Sequence, residues 1–574
     1  MIAESQDRVF GAAEAAVSDV KSTDAVVAGL GCFAALFDTR VLTHAAVADA
    51  SALIVQCATR DDADVRAAAF TALRSIIRSY PRVGLGTVVP ALAHGAHGVL
   101  GVAALVAVAV GPESRCAVLP TLFERLAMSC DAGAAAEVSR AIGKVCVAGA
   151  ADGDEQLCNA VLLPCLGVYF APRKQPAAGD GASSALVSDA DLAGPAVLGE
   201  LAAGVAACMR VAPASEQVEL LSVVRRILVD NDLSELSLPP RPAPYVPDAR
   251  GGGVAENGEL ATLLRAVVAN LRPELVTIEV WHAFQPALVE AVLGFADDAA
   301  ALQCSVALAS LLNKLEPDEV VDGVLVPTLV RLDGAPGSEL RAAACRAWLT
   351  KAVAIRGHSA GAPLLNRLVA DLSDEATAER AAAAFGTIAT DSDDGLGPKS
   401  FAKSTLMHKQ RLYAQTSGAL IKGYRAGAGV VRSSNLVALV HLLVAVPRQV
   451  LLNEVGGVWQ LLIEALRACE DDALVRCVLG LMRMLIDEAR ERVSEDAHSV
   501  VAALLPLCRA DQMRTRLAAL ECLAAAAALP PARIFPLAER VIRELGTVLD
   551  DRKRLVRAEA VKCRSAWFMI GGTA

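Results

Sequence analysis

One residue type recurs along the second half of this chain at nearly constant spacing. Arginine recurs, usually after an apolar or acidic residue, at Leu340-Arg341, Glu379-Arg380, Val431-Arg432, Val475-Arg476, Thr515-Arg516 and Val556-Arg557, and Gln303 stands one period earlier. The successive gaps are 38, 39, 52, 44, 40 and 41 residues. Each arginine sits a few residues into an apolar-periodic segment that opens on an acidic turn. A period of about forty residues marks stacked helical pairs of the HEAT or armadillo type. The expected fold is therefore all-α, an α-solenoid of HEAT/armadillo-type helical repeats. Such a fold offers an extended surface and binds other proteins by default.

Residues 550–570 show the grammar of one repeat. Asp550 and Asp551 suit the electropositive start of a helix. Leu555, Val556, Ala560, Cys563 and Trp567 recur at three- and four-residue steps and form one apolar stripe. Gly571 and Gly572 stop the helix. Residues 333–350 repeat the pattern with a stripe of Leu340, Ala344 and Trp348, and residues 471–484 with Val475, Leu479 and Met482. The partner helix carries a proline in a Leu-rich segment, at Pro120, Pro327, Pro506 and Pro536. Proline is tolerated early in a helix and bends it further in. In the N-terminal part, residues 61–66, 98–110 and 131–140 match the grammar less cleanly. About five repeats are expected before residue 235 and about seven after residue 258.

Two segments interrupt the pattern. Residues 171–196 are rich in Gly, Ser, Pro and Asp, and residues 234–258 hold Pro239, Pro240, Pro242, Pro244, Pro247 and three consecutive glycines. Both read as disordered loops. The organisation predicted is thus N-terminal HEAT-like repeats over 1–170, a loop over 171–196, a helical pair over 197–233, a Pro/Gly-rich loop over 234–258 and C-terminal repeats over 259–574. A third irregularity at 390–400 explains the 52-residue gap. It precedes an extra, more polar helix at about 401–424.

Composition excludes several function classes. The chain of 574 residues is 54% hydrophobic but only 4% aromatic, as many small helix–helix contacts require. No period-two runs of β-branched or aromatic residues occur, so sheet is not expected. The net charge of −10 argues against direct nucleic-acid binding, which wants a basic face. The exception is a basic run at the C-terminal end: Arg552, Lys553, Arg554 and Arg557, followed by Lys562 and Arg564. The fifteen cysteines are scattered singly, with no C-x-x-C spacing. Cys304, Cys345, Cys477, Cys522 and Cys563 read as small buried hydrophobes in a reducing compartment. His94 and His97 are spaced along one helix face, but glycines surround them and no carboxylate is near. No cofactor or metal is expected, and no signal peptide or membrane span. Phosphate-binding, dinucleotide-binding and zinc-protease motifs are absent, so a non-enzyme is expected.

Five segments together carry a more specific signal: residues 309–315 (Ala-Ser-Leu-Leu-Asn-Lys-Leu); 348–352 with Ile355-Arg356-Gly357-His358; His408-Lys409-Gln410-Arg411-Leu412-Tyr413; His441-Leu442-Leu443 with Val446-Pro447; and 549–557 leading into Ala566-Trp567-Phe568. In order and spacing they resemble the C-terminal half of the Mms-nineteen family, the HEAT-repeat subunit of the cytosolic iron–sulfur protein assembly targeting complex. The resemblance runs from about residue 260 to 572. It implies a non-enzymatic adaptor that docks a WD-repeat propeller subunit and a small cluster-carrier subunit. Its clients would be iron–sulfur enzymes of DNA replication, repair and transcription. It also implies a cytoplasmic and nuclear location and partner docking through the C-terminal repeats. Carried onto this chain, the docking residues would be Lys409, Arg411, Arg552, Lys553, Arg554 and Arg557. For Arg557 a second reading is a staple to the turn acids. Family members are longer, and Met1 enters a region that already reads as mid-solenoid, so a truncated form is expected. The alternative is another HEAT scaffold, of the nuclear transport receptor or phosphatase regulatory subunit type.

Overall fold

The computed structural model describes residues 2–18, 22–94, 98–127, 132–155, 157–170, 195–230, 232, 258–295, 297–391, 395–469 and 471–570. The described residues are 83% helical, and no strand occurs among them. Residues 233–257 and 171–194, the greater part of both interrupting loops, lie outside the described residues.

Contacts divide the chain into two units, 1–315 with 399–402 and 316–398 with 403–574. The first holds α1 (Ile2–Ser18), α2 (Thr23–Asp38), α3 (His44–Ala58), α4 (Ala63–Ser79), α5 (Val89–His94), α6 (Gly98–Val108), α7 (Pro112–Ala127), α8 (Ala132–Ala151), α9 (Leu157–Phe170), α10 (Pro195–Val211), α11 (Ala214–Val224), α12 (Ala261–Val268), α13 (Ile278–Gly294) and α14 (Asp298–Lys314). Each odd-numbered helix pairs with the next, and the even-numbered helices form a ladder, α2 on α4, α4 on α6, and so on to α14. The second unit holds α15 (Asp318–Asp333), α16 (Glu339–Arg356), α17 (Gly361–Asp371), α18 (Ala378–Ala389), α19 (His408–Ala426), α20 (Gly429–Ala445), α21 (Arg448–Asn453), α22 (Val455–Ala468), α23 (Asp472–Glu488), α24 (Ala497–Leu507), α25 (Met513–Ala526), α26 (Pro531–Leu545) and α27 (Arg554–Met569). Its ladder runs α16, α18, α20, α23, α25, α27. Each ladder helix inside a unit is flanked on both sides by others, so each unit's core lengthens by stacking.

Local chemistry explains the elements. Acids and hydroxyls cap the ladder helices: Asp62 accepts from the Asp64 and Val65 amides, Asp297 from Ala299 and Asp471 from Ala473, and Ser22 caps α2. The internal prolines, Pro120, Pro164, Pro286, Pro327, Pro506 and Pro536, all fall in the first helix of a pair, as the Leu-Pro segments predict. The ladder helices need unbroken backbone because neighbours press on two sides; the outer helices face water and absorb the missing hydrogen bond.

Three expectations are corrected. In α16, Leu340 is 68% exposed and Ala344 is exposed; the buried set is Ala342, Cys345, Ala347, Leu349 and Ala352. The buried face is displaced from the expected one: Ala342, Cys345, Leu349 and Ala352 recur at three- and four-residue steps on it, Val353 and Ile355 are buried beside them, and Leu340 lies outside. Leu555 and Cys477 are likewise exposed, while Val556, Ala560, Cys563 and Trp567 are fully buried. Third, the polar helix begins at His408, not 401, and is no extra element. As α19 it packs on α16, α17 and α20 and is the first helix of an ordinary pair.

Buried polar groups lock the stack. The Trp567 indole N–H donates to the Leu523 carbonyl across 2.9 Å, tying α27 to α25. Lys314, fully buried, donates to the Ala269 and Leu271 carbonyls at 2.7 and 2.9 Å, closing the open end of α12. Arg115 pairs with Asp154 at 3.3 Å and with Asp152.

Candidate docking surface

Two of the periodic arginines, Arg516 and Arg557, and Arg66 of the N-terminal part are bonded to the turns that start their helices, whereas Arg432 reaches the Tyr424 hydroxyl and Glu464. Arg66, Arg516 and Arg557 each donate to a carbonyl six residues back, Arg60, Ala510 and Asp551, at 2.7, 2.8 and 2.7 Å. Arg516 adds a repeat-to-repeat link: its Nε lies 2.8 Å from the Asp551 carboxylate, and both side chains are largely buried. Arg557 therefore staples its own turn through backbone, while the acid of that turn is held by Arg516 from the preceding repeat.

Arg552, Lys553 and Arg554 are different. They are exposed, and no described carboxylate pairs with any of them. The Asp551 side chain accepts the Lys553 backbone N–H at 2.8 Å but is committed to Arg516. All three cations stand at the N-terminal end of α27, which has no acidic residue in its first turn. The partial positive charge of a helix start disfavours cations by about 0.3–1 kcal/mol each. Folding alone gives no reason for this run.

The rest of α27 separates into two faces. Val556, Ala560, Cys563 and Trp567 point into the core, while Leu555, Val561, Phe568 and Met569 are more than half exposed. Arg564 donates to the Ile542 carbonyl at 3.2 Å and stacks over the Phe568 ring at 4.9 Å, and Lys562 pairs with Glu559 at 3.0 Å. Beside the basic run a groove of about 680 Å³ follows the turns, lined by Arg509, Asp511, Arg516, Thr547, Asp551 and Arg552 among others. The surface is thus basic and apolar together, the composition from which protein interfaces draw their anchors.

Lys409 and Arg411 lie elsewhere in this unit, on α19. Lys409 pairs with Asp391 at 2.6 Å, and Arg411 reaches only the Thr405 hydroxyl at 3.4 Å. The helix α27 packs on α25 and α26, so the two basic groups do not share a contact. Burial raises the Cys508 and Cys522 thiols to about 12 and Cys469 to about 11, which keeps them protonated. Among the described residues no group of three His, Cys, Asp or Glu could hold a metal ion. His94 ends α5, and His97 lies outside the described residues. No described helix is long and apolar enough to cross a membrane.

One feature escapes sequence reasoning. Leu406 and Met407, just before α19, are 90% and 67% exposed. Nothing in the local sequence signals this, because the loop that presents them is held by residues about fifty positions away.

Residues 182–527 match the family described as RNAPII transcription regulator C-terminal. The MMS19 nucleotide excision repair protein homolog of Xenopus tropicalis is 31% identical over 369 residues, covering 64% of this chain and 36% of that protein. The human homolog of the same name is 32% identical over 342 residues, 59% of this chain and 32% of its own length. The DNA repair/transcription protein mms19 of Schizosaccharomyces pombe is 27% identical over 271 residues, 46% of this chain and 26% of its own. The chain thus spans about a third of the length of the curated relatives it matches. Among solved structures, a Kap121p mutant aligns over 99% of this chain and 54% of its own, with 13% identity and a TM-score of 0.42. Importin beta aligns over 98% and 68%, with 11% identity and a TM-score of 0.40.

Proposed function

The chain belongs to the RNAPII transcription regulator C-terminal family, that of the MMS19 proteins, and from that premise we propose that it is a non-catalytic scaffold of cytosolic iron–sulfur protein assembly. In this reading it docks a WD-repeat propeller subunit and a small cluster-carrier subunit and presents them to apo-enzymes of DNA replication, repair and transcription. It acts in cytoplasm and nucleus. The chain performs no chemistry; it raises the effective concentration of carrier and client for one another. Arg552, Lys553, Arg554 and Arg557, with the exposed apolar face of α27, form the main docking element, and Lys409 and Arg411 contribute from α19.

The observation that carries this reading is the cation run at the start of α27. It opposes the helix dipole, has no carboxylate partner among the described residues and borders exposed Leu555, Phe568 and Met569. A tagged pull-down from native cytosol tests it. Recovery of a WD-repeat protein together with a small cluster-carrier protein supports the reading. Recovery of a small GTPase or a phosphatase catalytic subunit instead would move the chain to a transport-receptor or phosphatase-regulatory role.

A further inference from the structure

The loop 403–407 presents an apolar knuckle that helix formation does not explain. Met407 is the N-cap of α19, a position where Asp, Ser or Thr would bond the free amides and Met bonds none. Its backbone is left-handed, φ 62°, where an L side chain is strained. Leu406 beside it is 90% exposed. The loop is nonetheless firmly pinned. The Thr405 amide and hydroxyl both donate to the Ile355 carbonyl, at 2.8 and 3.1 Å. The His408 Nδ1 lies 3.1 Å from the Thr405 carbonyl, and Lys403 pairs with Glu316. Two large apolar side chains are thus held rigid in water, by a backbone that would be easier to build with glycine and a capping residue.

Arg411 joins the knuckle to a hollow. It lies over Gly357, whose left-handed backbone (φ +77°) and missing Cβ leave the space; a Cβ there would stand 2.7 Å from the guanidinium. The hollow, about 180 Å³, is lined by Ala354, Gly357, His358, Arg411, Leu412 and Gln415 among others, between the end of α16, α17 and α19. Lys403 and Lys409 are already paired with Glu316 and Asp391, whereas no described carboxylate pairs with Arg411. The site therefore offers an apolar knob, a small half-apolar hollow and one uncompensated guanidinium a helical turn beyond Met407.

We propose that Leu406, Met407 and Arg411 form a second docking site, separate from α27, for an acidic amphipathic helix of a partner protein. Apolar residues at three- and four-residue steps cover the knuckle, one of them enters the hollow, and a flanking Glu or Asp reaches Arg411. This deepens the scaffold reading, on which it rests for Arg411 as a docking residue, by adding Leu406, Met407 and the hollow and by giving the site its own occupant, and it stands whichever partners α27 binds.

The test uses the full chain and a fluorescein-labelled helical peptide of about 18 residues with a Leu stripe flanked by Glu. Controls are the same peptide with Lys for Glu and a scrambled version. Fluorescence anisotropy is expected to show saturable binding of the Glu peptide alone. Leu406→Ser, Met407→Gly and Arg411→Glu should each weaken it by about tenfold or more. Met407→Gly should leave the melting temperature unchanged or raised, because glycine relieves the left-handed strain. Failure of the Glu peptide to bind, equal binding to the three variants (the outcome if it sits on α27), or equal binding of the Lys peptide would overturn the site. So would a marked fall in melting temperature in Met407→Gly, which would make the side chain structural.

Discussion

Trp567, Arg516 and Lys314 are three large buried side chains, and the structure uses each differently. Trp567 is fully buried and hydrogen-bonded, so Trp567→Ala is expected to cost about 3–5 kcal/mol in denaturant titration. Arg516→Ala strands the Asp551 carboxylate in a largely buried position and should cost a similar amount, about 3–5 kcal/mol. Lys314 gives a pH signature, because burial lowers its pKa to about 7. Between pH 7 and the ordinary lysine range the unfolded chain then holds a proton that the folded chain has released. The lysine's contribution therefore becomes more favourable as pH rises through that window, and below pH 7 both states are protonated and the dependence vanishes. Stability of the parent minus that of Lys314→Met, measured at pH 7, 8 and 9, should rise with pH; a flat difference would refute the assignment. The burial of Trp567 was legible in the sequence because its stripe has one phase. The phase of α16 was not, since its first buried positions are the small Ala342 and Cys345, while the larger Leu340 near them lies outside the seam.

At the scale of the element, the acidic N-caps and the prolines of the first helices were readable because both act within one turn of chain. The start of α19 was not. Met407 caps nothing, and the loop is fixed by Ile355 some fifty residues away, so no local rule separates helix from loop there. The helix α27 combines both cases. Its buried stripe follows the period, while Arg552, Lys553 and Arg554 oppose the dipole. Changing these three to Glu should leave the melting temperature unchanged or slightly raised, since exposed charges contribute little and acids suit a helix start. The same change should abolish partner capture. A large fall in melting temperature would show that the basic run holds the fold together.

For the whole molecule, each helix pair touches mainly its sequence neighbours, so stability accumulates pair by pair along each unit. Unfolding followed by calorimetry and by circular dichroism should therefore show more than one transition, with non-coincident midpoints; a single coincident transition would contradict nearest-neighbour stacking. Such an architecture supplies surface rather than a closed cleft, and both candidate sites in the second unit, on α27 and at the start of α19, are surface features. The central claim is that this chain holds partners together without transforming them. Its most direct test is mass photometry of the purified chain mixed with the purified WD-repeat propeller and cluster-carrier subunits. The expected result is a stoichiometric three-component complex that Arg552, Lys553 and Arg554 changed to Glu no longer form. A chain that remains free beside both subunits, or a charge-reversed variant that assembles as well as the parent, would contradict it.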